Sequence, residues 1–120
     1  MNAPQITIHP QDPSQPLQVK LTFYAGNVVH WQVRKVVSNV STLVDSGDTE
    51  NGSGNPTVNV PPPLSGSSVT VICVCIPTSL SETFKIDVEF LQNNNSLGRL
   101  PTLVGTFVQP TTIGGSASIP

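Results

Sequence analysis

Apolar residues along this chain return at every second position, the period of a strand with one buried and one wet face. They are largely β-branched: Val supplies 16 residues, with 12 Thr beside it, types that suit a pleated surface. The chain therefore reads as all-β. Residues 17–24 put Leu17, Val19, Leu21 and Phe23 on one side and Gln18, Lys20, Thr22 and Tyr24 on the other. In 28–37, Val29, Trp31 and Val33 oppose His30, Gln32 and Arg34. Arg34-Lys35-Val36-Val37 breaks that rule, as a bulge or a change of sheet would. Residues 83–92 alternate most cleanly, with Phe84, Ile86, Val88 and Phe90 facing in and Lys85, Asp87 and Glu89 facing water. Shorter strands are expected at 5–9, 40–45, 57–60 and 102–108.

Punctuation between these runs is strong. Prolines crowd 10–16 and 61–63, where they remove ladder donors and stiffen the connection. Ala25-Gly26-Asn27 reads as a compact turn, so that 17–24 and 28–37 pair as a hairpin. Residues 46–55 hold three Gly and no hydrophobic side chain, which marks a mobile loop. Ser79-Leu80-Ser81-Glu82 has the form of a capping box and predicts one helical turn. Asn93-Asn94-Asn95 is a turn, Pro110 ends the last strand, and 111–120 reads as a flexible C-terminal tail after a single domain over 1–110.

One strand disobeys the half-buried rule. In 68–76 one face carries Val69, Val71, Cys73 and Cys75, and the opposite face carries Ile72, Val74 and Ile76 beside Thr70. Residues 102–108 do the same more mildly, with Val104 and Val108 on the second face. At about 25 cal/mol per Å² of apolar surface, leaving these side chains wet forgoes several kcal/mol. Either a crossing segment covers them or a second subunit does, since exposed apolar patches mark interaction sites and twofold dimers dominate homo-oligomers.

Seven or eight strands with regularly spaced turns and a Trp in the third fit a two-sheet antiparallel β-sandwich of immunoglobulin-like outline, without its disulfide. That architecture hosts many functions and selects none. Composition narrows the field. Only 10% of the 120 residues are charged, with 5 basic against 7 acidic, which offers no basic stripe for nucleic acid. Residues 55–81 contain no charged residue at all. No apolar run reaches the length of a membrane span, and Met1 to Pro16 lacks the basic start and apolar stretch of a signal peptide. Together with two unpaired thiols this favours the cytoplasm.

Candidate chemistry is sparse. Cys73 and Cys75 point to one face of a strand, too awkwardly placed for a mutual disulfide, and read as small buried hydrophobes. His9 and His30 are the only imidazoles. Neither belongs to a nucleophile elbow or a zinc-ligand spacing, so a hydrolase is a remote alternative and no metal or cofactor is expected. Asp45, Asp48, Glu50 and Asn51 could offer oxygen to a cation but do not follow the EF-hand register. If the hairpin forms, Lys20, Tyr24, His30, Gln32 and Arg34 share one outward surface around the single aromatic on a polar face, a place for a carbohydrate. The leading expectation is a non-enzymatic structural or binding module that self-associates through Ile72, Val74, Ile76, Val104 and Val108, with a carbohydrate-binding module as the alternative.

Overall fold

Alternating apolar runs become strands, and their dry sides set the layering. The computed structural model describes residues 3–50 and 55–120. Ten strands are present in them: β1 (Gln5–Thr7), β2 (Leu17–Phe23), β3 (Val28–Val37), β4 (Val40–Asp48), β5 (Thr57–Val60), β6 (Ser67–Ile76), β7 (Glu82–Gln92), β8 (Asn95–Arg99), β9 (Leu103–Phe107) and β10 (Thr111–Ser118). Sheet A runs β1-β10-β6-β3-β4. Sheet B runs β5-β2-β7, with β8 and β9 pairing in series along the far edge of β7. Their apolar faces meet in one hydrophobic cluster. Val29, Trp31, Val33, Val71, Cys73 and Cys75 enter it from sheet A, and Leu17, Val19, Leu21, Phe84, Ile86 and Phe90 from sheet B. Among the described residues, no helix is long and apolar enough to cross a membrane.

Several expectations are corrected. The strands number ten, against seven or eight. Ser79-Leu80-Ser81 is irregular, and the capping-box glutamate opens β7. Glu82 accepts hydrogen bonds from the Thr78 N–H (3.0 Å) and hydroxyl (3.0 Å) and from the Asn27 amide (2.8 Å). These donors hold its carboxyl below the usual range, the Thr78 N–H first, then Asn27. β4 runs on to Asp48, so Ser46–Asp48 belongs to a strand; residues 51–54 of the expected loop lie outside the described residues. The expected tail is instead β10, inserted between β1 and β6. Gly114 permits this: a Cβ there would stand 2.2 Å from the Val71 carbonyl oxygen.

The hairpin of 17–24 with 28–37 does not form. Ala25-Gly26-Asn27 carries the chain from sheet B to sheet A instead, and β2 pairs with β5 and β7 while β3 pairs with β4 and β6. Asn27 explains the crossing. Its side-chain amide is buried, donating to the Thr83 carbonyl as well as to Glu82, and its main-chain carbonyl accepts from the Thr49 hydroxyl (2.8 Å). Two true hairpins lie elsewhere, at Ser38-Asn39 and Asn93-Asn94, where both central residues take positive φ, the twist-matched two-residue turn. The irregularity foreseen around Arg34 is a register shift between Val33 and Arg34 against β4.

Candidate functional site

Strand register decides which outward side chains are neighbours. On sheet A, β6 faces β3 with Val28 opposite Ile76, His30 opposite Val74, Gln32 opposite Ile72 and Arg34 opposite Thr70. On its other flank, β10 sets Thr112 opposite Val74 and Gly114 opposite Ile72. The outward face of sheet A is thus an aliphatic row, Ile72-Val74-Ile76, between a polar row on β3 and a row of Thr, Gly and Ser on β10. Two groups of residues that the sequence pattern keeps apart, His30, Gln32 and Arg34 and Ile72, Val74 and Ile76, form one surface.

The same register divides the remainder. Lys20 and Tyr24 belong to the β2 side of sheet B, where Lys20 stands opposite Glu89 and the Lys85 ammonium lies 5.3 Å from the Tyr24 ring centre. Tyr24 therefore shares no surface with His30, Gln32 and Arg34, and the five-residue sugar platform is not assembled. Val104 pairs with Lys85 on sheet B and is 60% exposed; Val108 follows β9 at 73% exposed. Neither belongs to a strand of sheet A; Val104 and Ile72 line one crevice between β9 and β10.

Within the sheet A face, a shallow hollow of about 360 Å³ is lined by His30, Gln32, Ser46, Asp48, Ile72 and Val74 with the backbone neighbourhood of Trp31 and Gly47. His30 Nδ1 lies 4.0 Å from the Asp48 carboxylate. Arg34 is held flat along the sheet, donating to the Ser41 hydroxyl (2.7 Å) and to Gln32 Oε1 (3.3 Å). The aliphatic row is half-buried by these flanking side chains. Sequence reasoning missed the contributions of Thr112, Ser46 and Asp48, because each depends on a strand or strand end that it did not place.

The interior face of sheet A is chemically quiet. Both thiols are buried and free, and burial pushes Cys73 up to about 12, with the neighbouring Cys75 adding to it, and Cys75 to about 11, with Glu82 adding to it. They point away from His30, which faces outward on the same sheet. Among the described residues no group of three His, Cys, Asp or Glu side chains could hold a metal ion; Asn51 of the suggested cation cluster lies outside them. The Trp31 indole N–H is buried without an acceptor among the described residues.

A second hollow, a crevice of about 840 Å³, opens along the sheet A edge between β10 and β9. Leu103, Phe107, Ile113 and Val71 line it, and Gly105, Gly114 and Gly115 leave it wide. No protein family, curated protein or solved structure matches this chain.

Proposed function

We propose that this protein is a non-enzymatic β-sandwich, a structural or binding module that associates with a second copy through the outward face of sheet A. The observation that carries the reading is the row Ile72-Val74-Ile76 standing outward and only partly buried. The segment that could have crossed over it, 111–118, is spent as a strand of the same sheet. Each of these aliphatic side chains that becomes fully dry in a dimer adds on the order of 1 kcal/mol. His30, Gln32, Arg34 and Thr112 supply the polar rim that such a patch requires. The immunoglobulin-like part of the reading is supported by one register, Trp31 of β3 directly opposite the buried Cys73 of β6.

Sedimentation velocity over a concentration series tests it. The native chain is expected to form dimers, and Ile72→Lys and Val74→Lys to sediment as monomers with unchanged far-ultraviolet circular dichroism. Val104→Lys, on sheet B, is the control and dimerises like the native chain. A native chain that stays monomeric at millimolar concentration, or an Ile72→Lys variant that dimerises as well as the native chain, overturns the proposal.

A further inference from the structure

β10 is half-covered. β1 pairs with Ser116–Ser118 alone, and no described strand pairs with Thr111–Gly114 on that edge. Backbone groups alternate sides along a strand. The Ser116 N–H donates to the Pro4 carbonyl (3.0 Å) and the Ser118 carbonyl accepts from the Ile8 N–H (2.9 Å), so Thr112 and Gly114, of the same parity, turn their N–H and C=O groups to the open edge. Thr111 and Ile113 bond into β6 instead.

We infer that this edge is a second interaction surface, and that its occupant is the same edge of another copy, paired antiparallel about Ile113. That register is self-complementary. Thr112 of one copy meets Gly114 of the other and Gly114 meets Thr112, which closes four main-chain hydrogen bonds across a twofold axis lying between the two Ile113 residues. Charge fits this occupant: no side chain lining the adjoining crevice is charged, and 100–120 carries no charged residue. Two such edges approach without stripping water from an ion, and a charged partner would find nothing to pair with.

The edge is also unguarded where others are guarded. β4 carries a register shift with Asp45 and Asp48, and β5 is four residues long between Pro56 and Pro61. A ladder this short buries far less than the roughly 1,000 Å² of a stable complex. The pairing is therefore transient by itself and strengthened whenever another contact holds two copies close.

Amide hydrogen exchange by nuclear magnetic resonance tests the inference independently of the outward face, because the amides concerned lie in the plane of the sheet. In an Ile72→Lys background, raising the protein from micromolar to millimolar is expected to slow exchange at Thr112 and Gly114 by about tenfold or more, leaving Ile113, already bonded to β6, unchanged. Thr112→Pro removes one edge N–H and leaves the β6 ladder intact; in it the concentration dependence at Gly114 is expected to vanish. Exchange at Thr112 and Gly114 that is independent of concentration overturns the inference, and so does protection of Gly114 that survives Thr112→Pro.

Discussion

Sheets A and B solve the same problem inside and opposite problems outside. Both bury every second residue of their long strands in the common core. Outward, sheet B shows Lys20 opposite Glu89, Asp87 opposite Thr22, and Arg99 3.1 Å from Glu89. Sheet A shows aliphatics, hydroxyls and glycine along β6 and β10, and its outward charges, Arg34 and Asp48, stand on β3 and β4 to one side. A charged face resists desolvation, because each ion must be paired or left costly on burial. A neutral one loses little. The lesson of the pair is that alternation makes a strand, while the residue types on its wet side decide whether that side stays wet.

The comparison can be broken first in the core. Phe84→Ala removes a fully buried ring of sheet B that lies 5.9 Å from Phe107; a loss of about 3–5 kcal/mol in denaturant unfolding is expected. Trp31→Phe in sheet A should cost under about 1.5 kcal/mol, since lost contact area is offset by removal of an unpaired buried N–H. Equal costs would erase the distinction between the two interiors. Next comes alkaline unfolding. Thiols pushed up to about 12 and about 11 stay protonated when folded, so their contribution is whole below the ordinary thiol range and lost as pH rises toward those values. The native chain is expected to lose stability between pH 9 and 11, and the Cys73→Ala, Cys75→Ala double variant should flatten that fall.

Smaller effects belong to the charged groups. Glu82, held below the usual carboxyl range by Thr78 and Asn27, stabilises the fold at neutral pH and loses that contribution as acid titrates it. Glu82→Gln should reduce the acid slope of thermal unfolding and lower the neutral melting temperature slightly. Smallest of all, Glu89→Gln frees Arg99 on the sheet B face and should cost no more than about 1 kcal/mol, a difference that shrinks with added salt.

Legibility followed the energy source of each element. β2, β3, β6 and β7 declare themselves because apolar burial holds them, and burial writes its period into the residues. β8 and β10 are held mainly by main-chain pairing with β7, β1 and β6, and Asn95-Ser96-Leu97-Gly98-Arg99 or Thr111–Ser118 carries little apolar alternation to read. The site failed for a different reason. Ala25-Gly26-Asn27 suits a hairpin and a crossing between sheets equally well, and the choice rests on the buried Asn27 amide finding Glu82 and Thr83 some 55 residues away. Once that turn is placed, the half-set of His30, Gln32 and Arg34 moves from Tyr24 to Ile72. The doubly apolar character of β6 was readable throughout; which residues flank it was not.

The parallel pairing of β1 with β10 also sets how the molecule bears load. Tension entering ahead of β1 and leaving behind β10 draws two side-by-side strands in opposite directions along their length. The bonds from Pro4–Ser116 to Ile8–Ser118 then resist together in shear, where an antiparallel hairpin pulled from its open end would unzip one bond at a time. The strand ladder least visible in the residue pattern is the one through which a stretched chain would have to fail first.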